Sequence, residues 1–415
     1  MSELKISVSG LGYIGLPTAT MFANYGAHVI GLDVNQYAID TINEGKIHIV
    51  EPGLEEIVKK VVSSGHLRAS LQAEKADAFL IAVPTPFKGE DHTPDLSYIE
   101  AAVNTIAPVL EKGNVVILES TSPVGATEQM VEWLSDLRPD LKFPKQATDT
   151  EVDVYVAYCP ERVLPGHVIR ELVENNRTIG GITPLCTQKA KDVYQIFVRG
   201  ELLETNARTA EMTKLTENAF RDVNIAFANE LSLICDRLDI DVWELIKLAN
   251  HHPRVNILRP GAGVGGHCIA VDPWFIVNKT PDLAKMVRSA REVNDYKPQW
   301  VIQQIENEVQ KLGNLGRKPS VALLGLAFKP DIDDLRESPA VEIAKEFGQN
   351  NDVELFLVEP HIQKLPTEIT NGRLVDLEEA IQQADVNVIL VDHSNFMGLN
   401  KNYADKRILN FVATV

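Results

Sequence analysis

Short apolar runs alternate with amphipathic segments over the first 200 residues, which is typical of a parallel β-sheet whose strands are joined by crossover helices. Between two of the runs, Asp95 to Leu110 carry apolar side chains at spacings of three and four, which predicts a helix. The predicted buried strands are KISVSG (5–10), HVIGLD (28–33), DAFLIAVP (77–84), VVILES (115–120) and VYVAYCP (154–160). The first part of the chain is therefore expected to be an α/β domain.

The pattern changes between Thr205 and Ala249, where the chain has neither proline nor glycine and apolar residues recur at helical spacing. This predicts one long helix, or two, with a continuous apolar side. Such a side is typical of a helix buried in a core and equally of a helix at a subunit interface, so both interpretations stay open.

Strand-like runs return after Lys318, and they repeat a feature of the first region. Ala76-Asp77 precedes one apolar run, and Ala384-Asp385 precedes another in the same way. The later runs are PSVALLGLAF (319–328), VELFLVEP (353–360) and DVNVILVDH (385–393). We therefore expect an α/β protein with two Rossmann-like, doubly wound domains joined by a long central helical segment. The predicted domains are residues 1–200, 201–305 and 306–415.

Composition and charge exclude some partners. The 415 residues include 40 basic and 58 acidic side chains, a net charge of −18, so neither nucleic acid nor an anionic membrane is an expected partner. The uncharged stretch from Ile6 to Leu32 is interrupted by glycines and Pro17, which favours strand, turn, helix and strand over a membrane span. The four cysteines (159, 186, 235 and 268) have neither paired nor metal-ligand spacing, which predicts the reducing cytoplasm and no bound metal.

The glycine-rich turn after the first predicted strand indicates a dinucleotide site. Gly10-Leu11-Gly12-Tyr13-Ile14-Gly15 is a GxGxxG motif that follows a strand and opens a helix, and Asp33 ends the next strand. The glycines permit a tight turn and close approach of a pyrophosphate, whose charge the helix N-terminus attracts. Asp33 is placed to bind the adenosine ribose and to repel a 2′-phosphate, so the expected cofactor is NAD rather than NADP.

Two later loops follow strands and extend the same predicted edge of the sheet. They carry the hydroxyl groups of Thr85, Thr121 and Thr127. These hydroxyls are candidates to bind the ribose or phosphates of the cofactor, and helix capping is an equal alternative for each of them.

The sequence GAGVGGHCIAVDP (261–273) surrounds Cys268 with glycines, so a substrate can approach the backbone closely. A lone cysteine is more often a small core residue, but the neighbouring His267 and Asp272 favour a reactive thiol. A zinc site is the rival, and no further ligands stand at suitable spacing.

These motifs together resemble the UDP-glucose/GDP-mannose dehydrogenase family over nearly the whole chain. Seven blocks occur in order: GLGYIGLP, PTP, ESTSPVG, CPERVLPG, EMTKLTENAFRDVNIAFANE, GVGGHCIAVDP and GLAFKPDIDDLRESP. The resemblance implies an N-terminal NAD-binding domain, a central domain that carries the catalytic residues and the interface of a homodimer, and a C-terminal domain that binds a UDP-sugar.

The resemblance also implies a mechanism that the residue types support. Hydride transfer from the C6 alcohol of the sugar to NAD leaves an aldehyde, which Cys268 attacks; a second oxidation gives a thioester. Lys214 and Asn218, four residues apart on one helix face, would stabilise developing oxyanions. Glu161 resembles the residue that assists hydrolysis, and Asp272 the partner that orders water and Lys214.

Further residues are candidates by their position in matched blocks. Arg336 resembles a residue that reaches the NAD pyrophosphate. The substrate candidates, besides Lys214 and Asn218, are Arg162, Val163, Arg221, His252, Arg254, Gly265, Phe328 and Lys329. For each charged candidate, the alternative interpretation is that its side chain forms an ordinary ion pair at the surface.

The identity of the sugar depends on few positions. UDP-glucose enzymes of the family usually carry lysine directly before the aspartate that follows the catalytic cysteine, whereas this chain has Val271. Val271 and the block CPERVLPG both resemble the branch of the family that acts on acetamido sugars. This resemblance implies that the substrate is UDP-N-acetyl-D-mannosamine and that the product serves surface polysaccharide synthesis. UDP-N-acetylglucosamine and UDP-glucose are the alternatives.

Two other classes of function also fit the Rossmann pattern. An NAD-linked hydroxyacid dehydrogenase would not need the cysteine and would make one NADH per product. An NAD-sensing binding module would not need Cys268, Lys214 and Glu161 together. The yield of NADH per sugar separates the three hypotheses: two for the nucleotide-sugar dehydrogenase, one for the hydroxyacid dehydrogenase and none for the binding module.

Overall fold

The computed structural model describes residues 4–89, 91–164, 166–266, 268–349 and 352–412, and it confirms the predicted α/β class. The chain divides into two compact units, residues 1–217 and 218–415. Each unit is built on one sheet, and the predicted strands and helices all occur in the described ranges.

Unit 1 contains a sheet of eight strands in the order β10-β9-β8-β7-β4-β1-β2-β3. All neighbouring strands are parallel except β8 and β9, which are antiparallel. The strands are β1 (Lys5–Ser9), β2 (His28–Leu32), β3 (Leu67–Ser70), β4 (Ala78–Ile81), β7 (Val115–Leu118), β8 (Tyr155–Tyr158), β9 (Arg177–Gly181) and β10 (Leu202–Asn206); β5 (Phe87–Lys88) and β6 (Thr93–Pro94) form a separate hairpin. The order of β3 to β8 is the doubly wound order of a dinucleotide-binding fold.

Helices cover both faces of this sheet, because its strands alternate between two apolar cores. In β4, Ala78 and Leu80 belong to one core, whereas Phe79 and Ile81 belong to the other. The helices are α1 (Gly15–Asn24), α2 (Gln36–Asn43), α3 (Leu54–Ser63), α4 (Ser97–Ile106), α5 (Ala126–Leu137), α6 (Val168–Glu174) and α7 (Pro184–Tyr194), with a 3₁₀ turn at Ala107–Val109. A parallel sheet buried on both faces explains why its strands read as continuous apolar runs.

The segment between Thr205 and Ala249 forms two helices, α8 (Ala207–Leu238) and α9 (Val242–Ala249). Asp241 ends the break between them, and its side chain caps α9 by accepting from the backbone N–H groups of Trp243 and Glu244. The boundary between the two units falls within α8.

Unit 2 contains a five-stranded, fully parallel sheet in the order β13-β12-β11-β14-β15. The strands are β11 (Ser320–Leu324), β12 (Glu354–Val358), β13 (Arg373–Leu374), β14 (Val386–Ile389) and β15 (Ile408–Asn410). The other helices are α10 (Asp272–Lys279), α11 (Lys285–Gln310), α12 (Pro339–Phe347), α13 (Leu377–Gln383) and α14 (Leu399–Asn402), with a 3₁₀ turn at Ser394–Phe396. This sheet has the same doubly wound order as the first, as the sequence predicted.

In the part of the chain that the structure describes, no helix combines the length and the apolar composition needed to cross a membrane. The uncharged stretch from Ile6 to Leu32 forms β1, α1 and β2, as predicted.

Candidate active site

The glycine motif forms the turn between β1 and α1. Gly10 has a φ of +89°, which disfavours other residues, and its N–H donates to the carbonyl oxygen of Leu32 at 2.8 Å. A Cβ atom at Gly15 would lie 1.7 Å from the carbonyl oxygen of Gly10, so only glycine fits there. A Cβ at Gly12 would meet nothing within 4 Å. Two glycines thus shape the turn, while Gly12 borders open space that a ligand can enter.

The N-terminus of α1 and Asp33 lie beside this turn. The helix starts without a side-chain cap and without an acidic residue in its first turn, which leaves its dipole available to an anion. Ile14 is its N-cap, and Tyr13 is 39% exposed. The Asp33 carboxylate accepts from the backbone N–H groups of Leu11 at 2.8 Å and Asn35 at 2.9 Å. Both carboxylate oxygens are held in place and keep lone pairs for ribose hydroxyls. These residues fit a dinucleotide.

The loops after β4 and β7 are joined by hydrogen bonds. The Thr85 hydroxyl donates to the Thr121 carbonyl oxygen at 2.5 Å. Thr127 is fully buried, and its hydroxyl donates to Glu211 Oε1 at 2.6 Å. The same carboxylate accepts from the backbone N–H groups of Thr127 at 2.8 Å and Gly125 at 2.7 Å. Glu211 therefore ties α8 to the N-terminus of α5, and Thr127 serves this link, whereas its cofactor role remains a prediction.

Glu161, in the loop after β8, is buried in an ion-paired cluster. One of its oxygens accepts from the Arg162 backbone N–H and the other from Arg177 Nη2, both at 2.6 Å. Arg177 also lies 3.4 Å from Glu119 Oε1, which accepts the Tyr194 hydroxyl at 3.0 Å. All four ionisable groups of this cluster are less than 10% exposed. Glu161 is thus a carboxylate oriented from two sides.

Cys268 is exposed, in the loop that leads into α10. The glycines before it allow close packing: a Cβ at Gly265 would lie 2.4 Å from the Glu337 carbonyl oxygen, and one at Gly266 would lie 2.9 Å from the Phe328 ring. The Cys268 carbonyl oxygen accepts from the Asp272 N–H at 2.8 Å. His267 lies outside the described residues.

Asp272 is the first residue of α10 and is buried. Its Oδ2 accepts from Asn218 Nδ2 at 2.5 Å, so these two predicted catalytic residues are in direct contact. Lys214 is half-buried and lies one helical turn before Asn218 on α8. The predicted helical placement of Lys214 and Asn218 is therefore observed.

A buried polar network between α8 and α11 holds the start of the cysteine loop. Asn229 Oδ1 accepts from the Gly261 N–H at 2.9 Å, and its amide donates to Asn294 Oδ1 at 2.9 Å. Asn294 and Arg291 in turn donate to Asp222 Oδ1 at 2.8 and 2.6 Å. Burial raises the pKa of Asp222, and the paired Arg291 acts in the opposite direction.

The substrate candidates have different surroundings. Arg162 forms an ion pair with Glu217, and Val163 packs against the core of unit 1. In unit 2, Arg336 donates to both oxygens of Asp334, at 2.8 and 2.5 Å. The remaining candidates comprise three exposed residues, Arg221, His252 and Arg254, and three half-buried residues, Gly265, Phe328 and Lys329.

Three buried polar residues of these networks were not predicted from the sequence: Glu119, Arg177 and Glu211. Glu119 stands directly after an apolar strand, as Asp33 does, and this position was the available signal. Glu211 precedes Lys214 by three residues in a stretch with apolar neighbours, and Arg177 is a charge at the start of a buried strand. Their partners are distant in sequence, so no local pattern identifies them.

Comparison with known proteins identifies the family. Models of the UDP-glucose/GDP-mannose dehydrogenase family match this chain in three stretches: the NAD-binding domain at residues 4–198, the central domain at 208–296 and the UDP-binding domain at 322–412. The chain belongs to this family. The predicted family is therefore confirmed, and so is NAD as the cofactor of the N-terminal domain.

Members of this family are similar to the chain over its whole length. The UDP-N-acetyl-D-mannosamine dehydrogenase of Campylobacter jejuni is 61% identical over 95% of this chain and 96% of its own. The NDP-N-acetyl-D-galactosaminuronic acid dehydrogenase of Ralstonia nicotianae is 58% identical over 97% and 94%. Among solved structures, the UDP-D-ManNAc dehydrogenase of Pyrococcus horikoshii has a TM-score of 0.89 at 38% identity and covers 99% of this chain and 96% of its own.

Proposed function

We propose that this chain oxidises the C6 alcohol of UDP-N-acetyl-D-mannosamine to the carboxylate, with NAD as hydride acceptor in two successive steps. The observation that carries the proposal is the 61% identity to a UDP-N-acetyl-D-mannosamine dehydrogenase across nearly the full length of both chains. The exposed cysteine in its glycine-rich loop supports a covalent route.

The glycine turn at residues 10–15 and Asp33 would hold NAD, which would supply the hydride acceptor for each of the two oxidations. Between them, the Cys268 sulfur adds to the C6 aldehyde, so that a carbon–sulfur bond forms and the carbonyl oxygen becomes an oxyanion. Loss of the second hydride from C6 converts this thiohemiacetal to a thioester. Water then attacks C6, the carbon–sulfur bond breaks, and the carboxylate and the thiol are released. The aldehyde is therefore captured before it can leave the site.

The other predicted catalytic residues take the roles that charge development requires. Lys214 and Asn218 stabilise the oxyanion at C6, since their ammonium and amide groups are hydrogen-bond donors. Asp272 orients Asn218, which it contacts at 2.5 Å, and orders the water and Lys214. Glu161 accepts the proton of the attacking water, because it is a carboxylate held in one orientation.

The substrate and cofactor phosphates require cationic groups. In our proposal Arg162, Arg221, His252 and Arg254 bind the UDP-sugar, and Arg336 binds the NAD pyrophosphate. Val163, Gly265, Phe328 and Lys329 complete the contacts to the nucleotide sugar. Because Arg336 is forked on Asp334 and Arg162 on Glu217, binding exchanges these ion pairs for phosphate contacts.

Three further properties belong to this proposal. The chain forms a homodimer through α8, which exposes large apolar side chains. It works in the cytoplasm, where a reactive thiol persists. The product is an activated uronate and serves surface polysaccharide synthesis.

A second candidate substrate is an NDP-N-acetylgalactosamine-type sugar. It is favoured by the 58% identity to the NDP-N-acetyl-D-galactosaminuronic acid dehydrogenase of Ralstonia nicotianae. Both candidates carry an acetamido group, whose amide needs hydrogen-bond partners in a site built for it. Loss of one such buried hydrogen bond costs about 1–3 kcal/mol, or roughly ten- to hundredfold in kcat/KM, so UDP-glucose is expected to be a poor substrate.

The test is a panel of UDP-sugars with NAD and NADP, in which NADH and uronate are both measured. We expect the highest kcat/KM for UDP-N-acetylmannosamine, lower values for its gluco and galacto isomers, a negligible value for UDP-glucose, and preference for NAD. Two NADH per uronate are expected. One NADH per sugar would indicate a simple alcohol dehydrogenase, and none a binding module. UDP-glucose as best substrate would refute the acetamido assignment.

A further inference from the structure

The cluster around Arg177 contains two carboxylates and one guanidinium, and all three are buried. Their side chains are 0% exposed in Glu119, 6% in Glu161 and 3% in Arg177. Arg177 makes its short contact, 2.6 Å, with Glu161 and its longer contact, 3.4 Å, with Glu119. Oε2 of Glu119 has no hydrogen-bond partner among the described residues. The Arg177 guanidinium therefore contacts both carboxylates, and its contact with Glu161 is the closer one.

Charge balance favours one proton in this cluster. With both carboxylates ionised, the buried cluster carries one net negative charge, and an uncompensated buried charge is strongly destabilising. With one proton added it is neutral. The acid with the weaker contact to Arg177 is the natural place for that proton, and burial raises the pKa of Glu119 to about 7.

Among the residues that the structure describes, the other groups that face Glu119 supply no second cation. The Tyr194 ring lies against Arg177, whose Cζ is 4.8 Å from the ring centroid, and the Tyr194 hydroxyl donates to Glu119. Cys159 lies nearby, and burial raises the pKa of its thiol to about 12, so it stays neutral near pH 7. The charges that decide the protonation of the cluster are thus those of Glu119, Glu161 and Arg177.

We propose that Glu119 is a positioning residue that shares Arg177 with Glu161 and thereby sets the net charge of the cluster when Glu161 receives the proton of the attacking water, an inference that rests on the proposed hydrolytic role of Glu161. When Glu119 is ionised, it stays paired with Arg177, and a proton from the attacking water on Glu161 brings the cluster to neutrality. When Glu119 is protonated, the same transfer leaves Arg177 buried without a counter-ion. Hydrolysis of the thioester is therefore fast only above the pH at which Glu119 ionises.

The first test follows the proton itself. Infrared difference spectra of the enzyme with ¹³C-carboxyl-labelled glutamate are recorded between pH 5 and pH 9, on the whole protein without substrate. A protonated-carboxyl band that disappears near pH 7, and that Glu119→Gln abolishes, is expected. A native enzyme without this band at any pH, or a band of equal amplitude in Glu119→Gln, overturns the inference.

The second test follows the chemistry. After a single turnover with UDP-N-acetylmannosamine and excess NAD, the decay of the covalent sugar adduct is measured by mass spectrometry of the intact protein at each pH. We expect the native decay rate to rise through pH 7 and that of Glu119→Gln to stay at the low-pH level, about tenfold slower at pH 8.5 and equal at pH 6. The NADH burst should not change.

Two variants in the same core serve as checks. Tyr194→Phe removes the donor to ionised Glu119, so the rise should move to higher pH by about one unit. Cys159→Ala changes the core by a similar volume without touching charge and should leave the profile unchanged. A purely structural role would lower the burst and the decay rate together, without a change in pH profile, and would overturn the inference.

Failure of the proposed covalent mechanism gives a different result from failure of the inference about Glu119. Glu161→Gln should accumulate the adduct after two NADH have formed. If no variant forms an adduct, the covalent mechanism is wrong, and the infrared result still decides whether Glu119 holds the proton. If adducts form but their decay does not depend on Glu119, the covalent mechanism stands and the inference falls.

Discussion

Individual residues of one type differ in their chemistry because their surroundings differ, and the four cysteines illustrate this. Cys159, Cys186 and Cys235 are buried, whereas Cys268 is exposed. Burial raises the pKa of Cys159 to about 12 and also raises that of Cys235. A buried thiol stays protonated and cannot reach a substrate, so Cys268 has the surroundings that nucleophilic attack requires.

Replacement of Cys268 by alanine should abolish uronate formation and leave NAD binding nearly intact, because the sulfur is needed only after the first hydride transfer. The measurement is uronate and NADH yield with UDP-N-acetylmannosamine, together with NAD titration. Cys159→Ala is the matched control and should retain most activity. Substantial uronate production by the Cys268 variant would refute the covalent route.

Lys297 in α11 is a buried ammonium, and we predict that it lowers the stability of the protein. It donates to Ser232 at 2.5 Å and lies 3.7 Å from the Trp300 ring centroid, with no carboxylate within 4 Å in the described ranges. Burial lowers its pKa to about 7, and Asp236 acts in the opposite direction. Between pH 7 and the ordinary lysine value the unfolded chain binds more protons, so stability should rise with pH in this window.

The corresponding variant is Lys297→Met, which keeps the volume and removes the charge. We expect its free energy of unfolding to exceed that of the native protein by about 1–4 kcal/mol at pH 7, and the difference to shrink towards pH 10. Urea unfolding across this pH range measures it. Lys285→Met, an exposed position on the same helix, should change stability by less than about 0.5 kcal/mol. A gain that grows with pH would contradict the argument.

At the scale of elements, the first strand of each unit is followed by the same kind of glycine turn, and an acidic residue follows the next strand of the sheet. Gly325 after β11 has a φ of +93° and donates to the Val358 carbonyl oxygen at 2.8 Å, as Gly10 does to Leu32. Glu359 accepts from the Leu326 N–H at 2.7 Å, as Asp33 accepts from Leu11. In unit 2, however, the same Glu359 oxygen also meets His393 at 3.0 Å. The same strand, turn and acidic strand end thus occur twice, with different surroundings.

In the glycine turn of unit 1, different glycines are needed for protein stability and for NAD binding, so substitutions can test the two roles separately. Gly15→Ala should destabilise the protein by about 3 kcal/mol, because its Cβ would meet the Gly10 carbonyl oxygen at 1.7 Å. Gly12→Ala has open space and should keep stability within about 0.5 kcal/mol. Its methyl group would nevertheless block the approach of the pyrophosphate and weaken NAD binding about tenfold or more. Urea unfolding and NAD titration measure the two effects, and native-like NAD affinity in Gly12→Ala would refute the placement of the cofactor.

For the whole molecule, the exposed apolar side of α8 is the surface feature on which the predicted dimer depends. Phe220, Phe227 and Ile234 are spaced by seven residues and are 70%, 52% and 46% exposed, and Leu238 one turn later is 60% exposed. Spacing by seven on a long helix is typical of packing against another helix. A second copy of the chain is the partner that our proposal assigns to this stripe.

Phe227→Asp should therefore convert a dimer into monomers, because a two-fold interface would bury the new charge twice. Sedimentation velocity at several concentrations measures the mass, for which one chain contributes 45.9 kDa. Tyr37→Asp, at an aromatic residue that is 70% exposed and lies far along the chain, is the control and should stay dimeric. A native protein that sediments as a monomer would disprove the predicted dimer.

The local features of this protein were readable in its sequence because they depend on neighbours along the chain. Apolar runs predicted the central strands, and the change to helical spacing after Thr205 predicted α8. The GxGxxG turn and the paired Ala76-Asp77 and Ala384-Asp385 were also visible. In the structure the two aspartates have equivalent positions: Asp77 accepts from the Lys5 N–H at 2.8 Å and Asp385 from the Ser320 N–H at 2.9 Å.

Edge strands and the buried charges were decided by the tertiary structure. The short strands β13 and β15 and the antiparallel extension by β9 carry little apolar periodicity of their own, since pairing with a neighbour defines them. Glu119 meets Arg177 across 58 residues, and Glu211 meets Thr127 across 84. A buried charge must find a partner, but its identity depends on which strands and helices the fold brings together. Sequence alone therefore determined the family, the central strands, the long helix α8 and the candidate nucleophile, whereas the edge strands and the surroundings of Glu161 followed only from the fold.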